Sequence, residues 1–239
     1  MGAGNRGVDA VTLLIAIPLL ASTLIGHRRR SPAGSMLFLG AVTWFVYVYA
    51  TLAVGAAFNA LFVVYVVVFS ASLWALMLAF SAVRSEIVTR DVSMLPRLGS
   101  GWLLVISGLF TAAAVVGPRC DHTVFGRRTR PPRRQHHYGH TCHRPTVIAP
   151  AALVAGVLIL RRRAVGYVLA APLLTLEAML APSIAAQTVS QLTAGVILTP
   201  GEIIGPVAAF LVLAAVADWF QFRILGRIGW SQQPPLSAG

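Results

Sequence analysis

The stretch GSMLFLGAVTWFVYVYATLAVGAAFNALFVVYVVVFSASLWALMLAFSAV, from Gly34 to Val83, contains no charged residue. Arg30 precedes it and Arg84 closes it. About 20 apolar residues cross a bilayer once, so the run is too long for one crossing and suits two. It reads as a tight pair of transmembrane helices, 34–54 and 58–80, turning at Gly55-Ala56-Ala57. That pair sets the expected fold class, an all-α polytopic transmembrane helical bundle.

Working outward, the same pattern repeats along the chain. The 239 residues are 57% hydrophobic and only 11% charged, whereas a soluble domain carries about 25% charge. Apolar runs at 8–26, 101–116, 146–160, 164–186 and 203–222 join the central pair to give about seven spans in one domain over 1–230. Run 8–26 reads as a span and not a cleaved leader, because its basic residues follow it. An irregular basic loop is expected at 117–146, a weakly polar link at 187–199 and a disordered tail at 231–239. No internal repeat points to inverted halves.

The formal net charge is +12, which in a soluble chain would point to nucleic acid. Here the arginines at 28–30, 84–97, 161–163 and 223–227 sit between apolar runs, where such clusters orient membrane helices. With seven spans these four clusters share one face. The expectation is an N-terminus outside, a C-terminus inside, the lipid bilayer as the main partner, a protein partner or homo-oligomer within the membrane, and no nucleic acid. All 19 basic side chains are Arg, with no Lys. Arg codons are mostly GC-rich, which fits a high-GC bacterial genome and a bacterial cytoplasmic membrane. Without Lys no Schiff base forms, which excludes a retinal protein and Lys-dependent catalysis.

One segment departs from this pattern. Residues 118–145 hold seven Arg, five of the six His and both Cys. Three readings stay open. Cys120, His122, His136, His137, His140, Cys142 and His143 are possible zinc ligands, though their spacing matches no structural zinc pattern and the nearby Arg charge opposes a cation. A solvated loop, with a Cys120–Cys142 disulfide on the oxidising face, is the second. The third, which the charge placement favours, is an out-of-frame stretch: codons for Cys142-His143-Arg144-Pro145 can, shifted by one base, read Val-Thr-Asp-Leu. No metal or cofactor is therefore expected.

Inside the central pair, Trp44, Tyr47, Thr51 and Gly55 recur at three- and four-residue steps, and Asn59, Phe62, Tyr65 and Phe69 continue similarly. Such faces commonly pack helix on helix, and Trp and Tyr commonly mark the membrane interface. Alternatively they line a pocket between the second, third and sixth spans. Asn59 also suits a cap of the third helix. The runs Trp44-Phe45-Val46-Tyr47-Val48-Tyr49-Ala50 and Gly55-Ala56-Ala57-Phe58-Asn59-Ala60-Leu61-Phe62-Val63-Val64-Tyr65, with Leu160-Arg161-Arg162-Arg163-Ala164-Val165-Gly166-Tyr167-Val168-Leu169-Ala170, resemble a family of uncharacterised multi-pass bacterial membrane proteins. The resemblance is strongest at 44–72 and 160–170. It implies the fold and no activity.

Glu177 lies in the middle of the sixth run. A carboxylate at membrane depth is expensive, so it is a functional candidate as a proton relay, against a protonated Glu hydrogen-bonded to a neighbouring helix. Asp218, five residues before Arg223, suits headgroups or a nearby Arg. The candidate intramembrane polar site is thus Glu177, Asn59, Tyr47 and Tyr65. Catalytic constellations are thin: no His lies within a span, and there is no P-loop or dinucleotide fingerprint. The expected function is non-enzymatic: a small permease-like or sensory module, or a membrane subunit of a complex. The alternative is an intramembrane enzyme acting on a lipid or isoprenoid.

Overall fold

A computed structural model describes residues 3–55, 61–88, 95–124, 148–196 and 199–230. The expected turn at 55–57 beyond its first residue, Asn59, the basic stretch 125–147 and the tail 231–239 lie outside the described residues, as do the side chains of Cys120, His122 and Glu202. The chain is all-helical, and among the described residues five helices are long and apolar enough to cross a membrane.

Helix α1 joins Ala3–Val11, a π-helical turn Thr12–Ala16 and Ile17–Arg28. The π turn has a local cause. Pro18 has no N–H to donate and its ring crowds the carbonyl four residues back. The helix widens just before it, and Ile17 N–H reaches back to the Thr12 carbonyl. Helices α2 (Pro32–Gly55), α3 (Phe62–Val88), α4 (Arg97–Val124), α5 (Ile148–Leu160), α6 (Ala164–Thr193) and α7 (Pro200–Trp230) follow.

Three helix ends share one design. At the end of α1, Arg30 N–H donates to His27 O at 2.9 Å and Ser31 N–H to Gly26 O at 3.1 Å. At the end of α5, Arg162 N–H donates to Ile159 O and Arg163 N–H to Leu158 O, both at 2.9 Å. At the end of α6, Gly195 N–H donates to Leu192 O and Val196 N–H to Gln191 O, both at 3.0 Å. Each is a Schellman motif, which turns one residue into the left-handed region. That residue is Gly195 (φ 77) on α6, but Arg30 (φ 56) and Arg162 (φ 57) on the other two. A non-glycine residue there costs about 1–2 kcal/mol. Ser31 then begins α2, its Oγ accepting Gly34 N–H at 3.3 Å with Pro32 at the first helical position.

α6 is the axis of the bundle. Most of its length is buried, while α3 and α7 turn most of theirs outward. It packs against α1, α2, α5 and α7, and more lightly against α3 and α4. α2 lies against it in parallel. A Cβ on Gly40 would overlap the Thr175 side chain, and further along Trp44, Phe45 and Val48 cluster with Leu176 and Met179. The matched order of these contacts fixes the direction. α4 and α5 meet backbone to backbone, since a Cβ on Gly156 would lie 2.8 Å from Gly101 O. Small residues at a helix crossing permit this approach.

Several expected boundaries are corrected. α6 continues through the supposed polar link to Thr193. Polarity alone does not end a helix: Thr188 Oγ1 satisfies itself on Ile184 O at 2.9 Å, and the stop comes only at Gly195. α7 runs to Trp230 and not to 222, continuing through Gly226 and Gly229. α4 extends past Pro118 to Val124, since one proline removes one backbone bond without ending a membrane helix. Among the described residues there are seven helices, as expected, but the described apolar stretches of α4 and α5, Arg97–Ala112 and Ile148–Leu160, are the two short ones.

Candidate functional site: a buried carboxyl on the central helix

Two buried polar side chains from neighbouring helices, Ser107 and Gln221, meet polar groups on α6. Glu177 is 5% exposed, near the middle of the helix. Ser107 of α4, also buried, donates its Oγ hydrogen to Glu177 Oε1. The other carboxyl oxygen, Oε2, is buried with no hydrogen-bond partner among the described residues. Two residues earlier on α6, Thr175 Oγ1 accepts from Gln221 Nε2 of α7 at 2.7 Å and donates to Ala171 O at 2.9 Å. Six residues later, Ser183 Oγ is the second buried group without a partner among the described residues. Buried polar groups in folded proteins are nearly always paired, so the two exceptions on one helix mark it.

Ser183 opens onto a small cavity of about 30 Å³, enough for a water-sized guest. Its polar lining is Asn5 and Asp9 from α1, Tyr47 and Thr51 from α2, and Ser183 and Gln187 from α6. Apolar walls come from Trp44, Val48 and Leu180 among others. Trp44 Nε1 donates to Thr12 Oγ1 at 3.4 Å, tying the cavity wall to the π turn of α1. From Ser183 to Glu177 is six residues of helix, about 9 Å, with Leu180 between them. The cavity lies toward the Gly195 end of α6, away from the Arg162 turn.

A second cavity, apolar and about 280 Å³, lies between α4 and α7. Leu103, Ile106 and Phe110 form one wall, Phe210, Leu213 and Val216 the other, and Ser107 is its polar member. Ser107 thus both lines the apolar cavity and bonds the Glu177 carboxyl.

Of the four residues expected to form one polar site, the structure does not bring the three it describes together. Tyr47 lines the small cavity, with its ring 6.0 Å from that of Trp44. Tyr65 is buried on α3 and meets Tyr49 at 6.3 Å, on another face of α2. Glu177 pairs with α4. The small cavity that Tyr47 lines lies between the first, second and sixth helices. The separation of Tyr47 from Tyr65 is rotational: Tyr47 and Tyr49 are two residues apart, so they face directions about 200° apart on a helix. Asn59 lies outside the described residues.

Sequence reasoning passed over Asp9, Ser107, Thr175, Ser183 and Gln221. Each is a polar residue within an apolar run, which is the signal that singled out Glu177. Small hydroxyls are common in membrane helices, however, and only their partners tell them apart. Asp218 is exposed, and Arg223 lies over the Trp219 ring at 4.8 Å. Among the described residues no three His, Cys, Asp or Glu side chains gather to hold a metal. Comparison of the chain with protein-family models, with curated proteins and with solved structures found no match.

Proposed function

We propose that this chain is a multi-pass protein of the bacterial cytoplasmic membrane acting as a small permease-like module, with Glu177 as the group that takes up and releases a proton or binds a small cation. The reading includes seven crossings, the N-terminus outside and the Arg-rich turns inside. It extends the likeness of 44–72 and 160–170 to uncharacterised bacterial membrane proteins, and it leaves room for a partner or second copy on the apolar faces of α3 and α7.

One observation carries it: a carboxyl in mid-helix keeps an oxygen without a partner among the described residues, two turns from a polar cavity with Asp9 in its lining. Ionisable groups at membrane depth mark ion and proton pathways. A purely structural Glu would have both oxygens paired. The test is reconstitution into liposomes loaded with a pH-sensitive dye, with a membrane potential imposed and candidate solutes supplied in turn. Glu177→Gln should insert and fold normally, because Gln keeps the shape and still accepts from Ser107, yet lose at least tenfold in proton-linked flux. A Gln variant with full flux removes Glu177 from the pathway.

A second reading, an intramembrane enzyme acting on a lipid or isoprenoid, draws support from the apolar cavity that reaches Ser107 between α4 and α7. It calls for an altered lipid profile in a deletion strain, restored by the native chain and not by a Ser107→Ala variant.

A further inference from the structure

The two Arg-Arg-Arg turns carry a feature that chain reversal does not require. At both, an arginine occupies the left-handed position of a Schellman motif, Arg30 at φ 56 and Arg162 at φ 57. The chain also shows the unstrained solution. The same motif at the far end of α6 uses Gly195 at φ 77. Glycine is thus placed where no charge is needed, and arginine where the turn faces the other side.

The two arginine turns lie at one end of the bundle. α2 begins just after the first and α6 just after the second, and the two helices run in parallel with Gly40 against Thr175. Counting back, α2 starts eight residues before Gly40 and α6 eleven residues before Thr175, so their starts differ by only about 5 Å along the axis. Arg28, Arg29, Arg30, Arg161, Arg162 and Arg163 are all exposed. Among the described residues none of the six pairs with a carboxylate. Orienting the helices does not account for the arrangement. Arg28, Arg29, Arg161 and Arg163 already supply positive charge, and the left-handed position is the one place in each triplet where a side chain strains the backbone.

We propose that this end of the bundle is a binding face for anionic phospholipid headgroups, with Arg30 and Arg162 held in left-handed turns so that each triplet presents its guanidinium groups to headgroup phosphates. Guanidinium binds phosphate through paired N–H donors, and basic groups beside a membrane helix attract anionic lipid. The proposal is independent of the flux reading, since it needs neither Glu177 nor either cavity.

The test compares thermal unfolding of the full chain in nanodiscs of neutral phospholipid with nanodiscs that include phosphatidylglycerol or cardiolipin. The native chain should gain several degrees in the anionic discs, and added salt should erode the gain. An Arg30→Gly/Arg162→Gly variant keeps four of the six charges, so its orientation is preserved. In neutral discs it should melt higher than the native chain, because glycine relieves both turns. In anionic discs it should lose at least half of the lipid-dependent gain. Arg30→Lys/Arg162→Lys keeps the charge and the strain but loses the paired donors, and should retain more of the gain than the glycine variant and less than the native chain. An equal gain in the native chain and the glycine variant would overturn the proposal. A glycine variant no more stable in neutral discs would remove its premise. Inorganic phosphate reproducing the gain in neutral discs would show an anion site and not a lipid face.

Discussion

At the scale of the residue, α6 carries three buried polar groups, Thr175, Glu177 and Ser183, and α7 sends Gln221 to the first of them. Gln221 Nε2 donates a hydrogen bond to Thr175 Oγ1, which in turn donates to Ala171 O. Removing the Gln amide leaves Thr175 still bonded to its own helix. Removing the Thr hydroxyl strands a buried amide. Thr175→Val should therefore cost about 1–3 kcal/mol, and Gln221→Leu clearly less. Their double-mutant cycle should show a coupling of about 0.5–1.5 kcal/mol, within the range measured for hydrogen bonds between membrane helices. Unfolding in mixed micelles reads all four corners, and additive effects would mean the bond contributes nothing. Glu177 was visible in the sequence because a carboxylate in an apolar run stands out. Thr175 and Gln221 were not, since nothing in a single sequence shows that residues 46 positions apart meet.

At the scale of the element, the packing of α2 on α6 turns on one position. Gly40 faces Thr175 so closely that a Cβ would overlap its hydroxyl, and that hydroxyl is held by two hydrogen bonds. Neither helix has a cheap way to yield. Gly40→Ala should destabilise by about 1–3 kcal/mol, although alanine is the better helix former by about 1 kcal/mol. Gly205, with open space around its Cβ position, is the control: Gly205→Ala should be neutral or stabilising in the same unfolding assay. If the two substitutions behave alike, the contact between α2 and α6 is looser than described. The sequence showed that these helices exist, because long uncharged runs bounded by Arg leave little choice. It misplaced their ends where the cue was polarity, as at 187–193, and passed over Gly195, at which α6 stops. Backbone hydrogen bonding carries a helix through polar residues, as it carries α6 through 187–193.

At the scale of the whole molecule, the arrangement places α6 at the centre, its Arg161-Arg162-Arg163 turn at one end and its Gly195 turn at the other, with the carboxyl of Glu177 between them. The membrane-like composition and the number of helices were legible in the sequence. Which helix lies inside was not: α6 and α7 are similarly apolar, and their difference in burial arises only when neighbours assemble. Every functional reading rests on α6 crossing the bilayer, because only then does Glu177 lie at membrane depth. The decisive measurement is sided labelling of its two ends. In a background with Cys120 and Cys142 replaced by Ser, single cysteines are introduced as Arg161→Cys and Ala194→Cys, both at exposed turn positions, and treated with a membrane-impermeant thiol reagent. Ala194→Cys should label in intact cells and Arg161→Cys only after the membrane is opened. Labelling of both from the same side would mean that α6 does not cross, and the account of Glu177 as an intramembrane carboxyl would fall with it.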